Sequence, residues 1–542
     1  MRLALLVCLT ALPAAAADFW DPAARHEPVA VFPLAVENPD DAALGLSIQL
    51  WTMERTAVPR AFIGPHAKQI LGMAAHEGLS PDKLGDAAVA ALGARLLGAE
   101  RWVSGTLKRT PKGLTLEATA VKGKKTKQKT LVLPKGAHLQ VQAAAQALSD
   151  LLFDVEPVKG RKKEAVPVFA ASDEAALAAA DGVARVLRQP MGIENPAVLD
   201  APELERAIAS CTKALAADAA NAPARAALGL AYAINGDGAK AIETLKPLDV
   251  EWADLSLYWI ARFWLVTRYT SPEAGQAVLL EAVAVDPGFL LARSYQGELF
   301  SALGKHEAAQ KVWEDYLKLA PAEPFVQARL AKALARQGKH DEAIAKTKAA
   351  LALVATSPEL QLQLASRYVD AGKLTDARDM LEGLAKSPQV RAEALVRYGY
   401  VLALLGQLDT AQAVLQSAVD KAPAAGDWRT RGRAHYDLAL VAAKRGDQDA
   451  AQASLGRAWQ TGFKLAKVDA PLEPAAKALE TADLKRTQAK QPPALAPTLL
   501  PKEATLFPLD PVGTVDVKPS PKPAGLDEFR SPFGPSAAPA RP

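Results

Sequence analysis

Apolar and small residues recur through the centre of the chain with a period of 34 residues. One column of the repeat consists of Gly229, Phe263, Gly297, Ala331, Ala365 and Gly399. A second column, of small residues, consists of Ala241, Gly275, Ala309, Ala343, Ala377 and Ala411. Glycines such as Gly304, Gly338 and Gly372 lie between the two columns, where a turn would need them. The pattern predicts units of two antiparallel helices whose backbones approach closely at the small residues.

One such unit cannot bury its own apolar face, so the units are expected to stack into a solenoid. The columns, together with Trp259, resemble the tetratricopeptide repeat (TPR) family over about residues 204–463. The resemblance implies an all-α superhelix of seven to eight repeats over 188–485, closed by a capping helix. The unit that begins at Ser256 exchanges its small and large residues, with Phe263 and Gly275, and is expected to be locally distorted.

The residues before the repeats show a different pattern, with alternating strand-like and helical segments. Strands are predicted at 29–34, 101–108, 114–122 and 129–133, and helices at 42–58, 65–78, 82–97 and 137–153. The order predicts a small α+β domain over 18–160 and a linker over 161–187. The segments Val29–Leu34 and Leu97–Gly105 resemble the TolB N-terminal-like domain. That resemblance implies a non-catalytic envelope module that contacts proteins.

The first residues have the layout of a secretory signal. Arg2 is followed by the apolar run Leu3–Leu12 and by four alanines that end at Ala17. We expect residues 1–17 to be cleaved before Asp18, which would place the mature chain in the periplasm or at the envelope. No other segment has the apolar length of a membrane span. Cys211 would then be the remaining cysteine, and its place on a helix predicts a buried, unreactive thiol.

The C-terminal segment differs in composition from the rest of the chain. Thirteen prolines occur between Pro492 and Pro542, and neither helical nor strand periodicity persists there. The composition predicts a disordered or polyproline-like tail over 486–542.

Charge and motifs exclude several classes of function. The chain has 64 basic and 60 acidic residues and a net charge of +4, which does not favour a nucleic-acid-binding protein. It carries no recognisable catalytic, metal-binding or cofactor-binding motif, so we expect no enzymatic activity, metal or cofactor. The predicted hairpin carries five lysines: Lys122, Lys124, Lys125, Lys127 and Lys129. These either protect a sheet edge or contact an anionic surface such as a membrane.

The TPR resemblance also implies a binding surface, because that family binds proteins in the concave groove lined by the first helix of each pair. The corresponding positions are Leu257, Ile260, Trp264, Arg268, Glu298, Ser301, Lys332, Arg336, Ser366, Asp370, Tyr400, Leu404 and Lys444. Trp264 and Tyr400 are the predicted hot spots, since exposed aromatic side chains often anchor a partner.

The sequence therefore favours an exported, non-catalytic scaffold for other envelope proteins. It would serve a secretion, motility, pilus or polysaccharide-export apparatus. A periplasmic sensor or solute-binding protein that uses the α+β domain is the alternative. A cell-wall-active enzyme is a more remote one.

Overall fold

The computed structural model describes residues 27–55, 62–156, 166–189, 200–248, 255–387, 390–422, 428–461, 463, 468–488, 522–523 and 526. The predicted signal over 1–17 lies outside these residues. The architecture is the predicted one, a small N-terminal α/β region followed by a long helical solenoid.

In the described part of the N-terminal domain, six strands form one sheet. Their bounds are β1 Glu27–Val31, β2 Ala35–Val36, β3 Phe62–Ile63, β4 Arg101–Thr110, β5 Gly113–Lys122 and β6 Lys125–Val132. The order is β3-β1-β4-β5-β6, and β2 lies beside β4. β1 pairs in parallel with β3 and β4, whereas β4, β5 and β6 form an antiparallel meander. The four predicted strands are confirmed, and β2 and β3 are additional short ones.

Four helices cover the sheet: α1 Ala42–Arg55, α2 Ala67–Glu77, α3 Ala87–Leu96 and α4 Ala137–Val155. Successive residues of a strand point to opposite faces. Accordingly, Val29 and Val31 pack in one core with residues of α1 and α4. Ala30 and Phe32 pack in a second core with residues of α2 and α3. Both faces of β1 are therefore buried from Val29 onwards, which explains the apolar run Val29–Phe32.

The described residues of the solenoid form eight helix pairs and a final helix. The pairs are α5 Asp173–Arg188 with α6 Ala201–Ala217, α7 Ala222–Asn235 with α8 Gly238–Leu245, α9 Ser256–Tyr269 with α10 Pro272–Val285, α11 Leu290–Ala302 with α12 His306–Leu319, α13 Pro324–Arg336 with α14 His340–Leu353, α15 Pro358–Asp370 with α16 Leu374–Ala385, α17 Ala392–Leu404 with α18 Leu408–Lys421, and α19 Trp428–Lys444 with α20 Gln448–Gln460. The final helix is α21 Glu473–Gln488. None of the described helices combines the length and apolar character that a membrane-spanning segment needs.

One predicted boundary changes, and the predicted tail lies mostly outside the described residues. The predicted linker over 161–187 contains α5, which packs against α6 and opens the solenoid. The predicted disordered tail over 486–542 lies outside the described residues, apart from the end of α21 and Lys522, Pro523 and Leu526. Leu526 is only 7% exposed, so this position of the tail is packed rather than free in solvent.

Small residues meet large ones within each helix pair, as the columns predict. A Cβ atom placed on Gly297 would lie 2.3 Å from the indole ring of Trp313. The distorted unit follows the same rule in reverse, because a Cβ on Gly275 would lie 3.2 Å from Phe263 and 1.9 Å from Thr267. Its helices α9 and α10 are both continuous over 14 residues, so neither helix is interrupted. The exchange of small and large residues keeps one small residue facing one large residue in this pair.

We predict that Gly297→Ala destabilises the solenoid by about 1–3 kcal/mol, because the added methyl overlaps the Trp313 ring. The matched control is Gly383→Ala on α16, where the new methyl meets nothing within 4 Å. That change should be neutral or stabilising by up to about 1 kcal/mol, since alanine is the better helix former. Urea unfolding followed by circular dichroism measures both. Equal effects of the two substitutions would contradict the proposed packing.

Candidate partner-binding groove

The first helices of successive pairs stand side by side, and we call the surface that they form the inner face. It consists of α7, α9, α11, α13, α15, α17 and α19. Direct contacts join α7 to α9, α13 to α15, α15 to α17, and α17 to α19. This is the surface on which we predicted partner binding from the sequence.

Arginine side chains link neighbouring first helices along the inner face. Arg329 on α13 reaches back to α11, where its Nη1 lies 2.5 Å from Ser294 Oγ and 2.9 Å from Glu298 Oε1. Arg397 on α17 donates in the same direction to Ser366 on α15. The bonds between hydroxyls and guanidinium groups join residues 31 to 35 positions apart. Each bond therefore ties one repeat to the repeat before it.

The inner face is closed around α9, where three predicted groove residues of α9 and one of α11 are buried. Leu257 is 1% exposed, Ile260 and Trp264 are each 2% exposed, and Glu298 on α11 is 8% exposed. The Trp264 ring packs edge-on against Tyr295, with the centroids 6.4 Å apart. The prediction that these residues line an open groove is wrong. Twelve residues of α9 are buried, and the apolar ones belong to one core with residues of α7 and of α2 and α3 of the N-terminal domain.

A buried polar cluster holds the N-terminal domain on the start of α9. The Ser256 amide donates to Glu54 Oε1 at 3.2 Å, and the Ser256 hydroxyl donates to the same oxygen. His66 Nε2 lies 2.9 Å from the Ser256 hydroxyl oxygen, and His66 Nδ1 accepts from the Lys68 amide at 3.1 Å. Since the hydroxyl proton is used, Nε2 carries the hydrogen and donates to Ser256. His66 is thus neutral, and burial, followed by the charge of Lys68, lowers its pKa to about 3.

Helix α2 continues the contact across the following repeats. Gln69 Nε2 donates to the Tyr316 hydroxyl at 3.1 Å, and that hydroxyl donates to Glu323 Oε2 at 2.8 Å. Farther along α2, Glu77 accepts from the Ser357 hydroxyl at 2.6 Å. Glu323 and Ser357 are the residues that precede α13 and α15. Helix α2 therefore lies along the N-terminal ends of α13 and α15. Burial raises the pKa of Glu323, the residue before α13, to about 7.

Two further contacts lie in the interface between the N-terminal domain and the solenoid, which we call the seam. Lys68 Nζ donates to the Leu187 carbonyl oxygen at 2.9 Å and to the Gln189 carbonyl oxygen at the end of α5. Burial lowers the pKa of Lys68 to about 7. Gly98 has a φ of +64°, and a Cβ there would lie 2.3 Å from the Ala322 backbone. Only glycine permits this approach of the two backbones.

Comparison with known sequences agrees with the helix-pair geometry. A tetratricopeptide repeat family model matches residues 295–358 and 362–426, and a second one matches residues 432–457. The solenoid contains tetratricopeptide repeats. Comparison with curated proteins gives no match, and the resemblance of the N-terminal domain to TolB stays a prediction.

Several solved TPR structures are similar to parts of this chain. A tetratricopeptide repeat protein from Parabacteroides merdae is 12% identical, with 51% of this chain and 93% of that chain covered and a TM-score of 0.35. PilW, described as a type IV pilus biogenesis factor, is 21% identical, with 40% and 94% covered and a TM-score of 0.31. YrrB, a TPR protein with an unusual peptide-binding site, is 17% identical, with 38% and 97% covered and a TM-score of 0.26.

The remaining predicted groove positions of the TPR solenoid divide into two groups. Arg336, Asp370 and Lys444 are exposed, whereas Arg268, Ser301, Lys332, Tyr400 and Leu404 are half-buried and Ser366 is buried. Arg268 Nη1 donates to the Ile234 carbonyl oxygen at 2.8 Å, so that side chain caps α7. Tyr400 is not a free anchor, because the Arg433 guanidinium lies 4.9 Å from its ring centroid. The accessible part of the inner face thus begins beyond the N-terminal domain.

The five predicted surface lysines lie at the β5–β6 hairpin and along edge strand β6. Lys122 pairs with Glu27 and with Glu100, and Lys125 Nζ lies 3.0 Å from Glu156 Oε1. These two lysines help to fasten the sheet. The other three, Lys124, Lys127 and Lys129, are exposed. Contact of these three with an anionic surface stays a prediction.

Sequence reasoning missed the seam residues Glu54, His66, Tyr316 and Ser357. A weak signal was present for Ser357, because serine directly before a helical pattern is placed to cap it. Ser357 does cap α15, and His66 caps α2. Their second role, across the seam, depends on the tertiary arrangement and has no local pattern.

We predict that acid loosens the seam through His66. With a pKa of about 3 in the folded state and about 6.5 when unfolded, His66 supports folding fully above pH 6.5 and less as the pH falls towards 3. Between pH 7 and pH 5 this costs about 2 kcal/mol. His66→Asn keeps a capping oxygen but cannot titrate, so its unfolding free energy should vary less with pH.

The matched control is His138→Asn, in which the lost imidazole pairs with Asp173 at the start of α5, at 2.6 Å, and is not part of the cluster formed by Glu54, His66 and Ser256. Urea unfolding at pH 7 and pH 5 gives the comparison. The His138 variant should keep the acid sensitivity of the original chain. An unchanged pH dependence in His66→Asn would refute the assignment.

Proposed function

We propose that this chain is an exported, non-catalytic scaffold that holds other proteins of a bacterial cell envelope. Protein–protein interaction is the general use of TPR solenoids, whose stacked helix pairs create extended binding surfaces. The export part of the proposal rests on the sequence of residues 1–17, with its arginine, apolar run and alanines.

The observation that carries the proposal is the unequal covering of the inner face. Around α9 the face is buried: Trp264 is 2% exposed, and the α9 side chains belong to one core with residues of the N-terminal domain. Farther along, Arg336, Asp370 and Lys444 are exposed on α13, α15 and α19. We assign partner binding to this second stretch, which we call the distal groove and define by those three residues together with Tyr400 and Leu404.

The chemistry of the distal groove favours a polar peptide or helix with both signs of charge. Its exposed charged residues alternate in sign along the solenoid, from Arg336 to Asp370 to Lys444. Asp370 pairs with Arg367 at 3.2 Å, and Lys444 Nζ donates to the Ala403 carbonyl oxygen at 2.9 Å. Partly exposed Tyr400 and Leu404 add apolar area beside them. Such a mixture of a small apolar centre and a charged rim is typical of specific but reversible interfaces.

We predict that the chain recovered from its native envelope begins at Asp18. Removal of residues 1–17 follows from the apolar run and the alanines that precede the cleavage position. Intact-mass measurement of the tagged protein, after separation of envelope and cytoplasmic fractions, determines the first residue. A full-length chain confined to the cytoplasm would overturn the export proposal while leaving the scaffold proposal standing.

We predict that charge reversal in the distal groove removes bound partners. The test variant combines Arg336→Glu, Asp370→Lys and Lys444→Glu, and crosslinking followed by affinity purification and mass spectrometry compares it with the original chain. Loss of the rim charges should lower recovery of specific partners about tenfold or more, since unfavourable charge pairs replace favourable ones.

The matched control combines Lys311→Glu, Lys346→Glu and Asp420→Lys. These exposed residues lie on the second helices α12, α14 and α18, and they give the same change in net charge. The control should keep all partners of the original chain. Equal losses in both triple variants would point to net charge, and equal retention would remove the distal groove as the binding surface.

A further inference from the structure

Two arginines and a histidine lie together in the last helix pair. Arg431 and His435 are one turn apart on α19, and Arg457 lies on α20. A Cβ on Gly432 would lie 2.3 Å from Thr461 Oγ1, so this part of α19 is in close contact with the end of α20. Since the two helices are antiparallel, His435, about one turn after Gly432, lies near Arg457, one turn before Thr461. We call the three residues the arginine–histidine site.

Neither arginine of the site is neutralised by a carboxylate that the structure describes. Arg431 Nη1 donates to the Ala422 carbonyl oxygen, at the end of α18, at 3.3 Å. Arg457 is exposed and forms no ion pair with a described residue. In contrast, Arg445 of the same helix pair lies 2.5 Å from Asp409. The site therefore holds two uncompensated positive charges.

His435 is an unusual residue for the interior of a helix pair. It is 8% exposed, and its Nδ1 is buried without a hydrogen-bond partner among the described residues. Burial, followed by the charges of Arg431 and Arg457, lowers the pKa of His435 to about 4, so the ring is neutral near pH 7. Nε2 is not enclosed in this way, so it can carry the ring proton and donate it to an acceptor. An apolar side chain would fill the same space without an unsatisfied polar atom.

The arginine–histidine site faces away from the distal groove. Successive residues of an α-helix are about 100° apart, so Arg431 and His435 are each about 200° from Arg433 around α19. Arg433 lies on the inner face, where its guanidinium is 4.9 Å from the ring centroid of Tyr400. The site is thus on the opposite side of α19, and the scaffold proposal makes no use of it.

We propose that the arginine–histidine site binds a phosphate group, either free or esterified. Its two uncompensated guanidinium groups match the roughly 1.5 to 2 negative charges that a phosphate monoester carries near pH 7. The phosphate oxygens accept hydrogen bonds from both arginines and from His435 Nε2. A carboxylate, with a single charge and two oxygens, satisfies only part of this set of donors.

Isothermal titration calorimetry of the full chain with inorganic phosphate, at constant ionic strength, tests the proposal. One phosphate should bind per chain. Arg431→Gln and Arg457→Gln should each weaken binding about tenfold or more, because each removes a charge-assisted hydrogen bond. Glutamine at position 431 keeps an N–H donor for the Ala422 carbonyl oxygen. Circular dichroism checks that both variants remain folded.

The matched control is Arg445→Gln, which removes the same charge from the same helix pair. Because Arg445 already pairs with Asp409, this variant should bind phosphate as the original chain does. Equal weakening in all three variants would indicate general electrostatic attraction and would overturn the proposal. Absence of phosphate binding to the original chain would overturn it as well.

A second measurement locates the bound phosphate at the histidine. The ring-proton resonance of His435, identified by its loss in His435→Phe, should shift with phosphate concentration and saturate at the calorimetric midpoint. A resonance that does not move while phosphate binds would contradict the assignment.

Other anions determine the chemistry of the ligand. Acetate should bind at least about tenfold more weakly than phosphate, and equal binding would refute the choice of phosphate over carboxylate. Glycerol 3-phosphate represents the esterified form. Tighter binding of this ester would identify a phosphate monoester as the ligand, and weaker binding would identify the free ion; both results support the site. Loss of partners from the distal groove variant would leave the proposal standing.

Discussion

The continuous apolar core between the sheet and the first repeats is the constraint on which the rest of the structure depends. It runs from Phe32 in the N-terminal domain to Trp264 in the solenoid, and α9 is enclosed within it. A TPR helix normally shows one side to its own repeat neighbours and another to solvent or ligand. Here the side chains of α9 are buried in one core with residues of the N-terminal domain.

Polar groups give this apolar contact its alignment. The side chains of Glu54 and His66 form buried hydrogen bonds with Ser256. Any shift of the domain along the solenoid would leave these polar groups without hydrogen-bond partners. The Gln69–Tyr316 and Glu77–Ser357 bonds set the position one and three repeats farther along. Apolar burial supplies the attraction, and these bonds select one arrangement among many of similar area.

The solenoid was predictable from sequence because its packing is local and repeats. Gly297 and Trp313 meet within one helix pair, so their spacing alone reports the contact. The sheet was predictable in the same way from the apolar run in β1 and the alternation in β5. The groove was not, because Leu257 and Trp264 have the same local pattern whether solvent or another domain covers them. Only a contact between distant parts of the chain distinguishes an exposed helix face from a covered one, and such a contact produces no periodic pattern in the sequence.

The seam also changes how the molecule would respond to mechanical load. A free TPR array behaves as a spring in which every junction between repeats yields a little. Helix α2 bridges the repeats from α9 to α15 at one edge, through Ser256, Tyr316 and Ser357. Helix α2 therefore stiffens the junctions between these repeats. It does not reach the junctions beyond α15. Compliance is thereby concentrated in the last two helix pairs, α17–α20, so this end can bend while the repeats from α9 to α15 stay stiff.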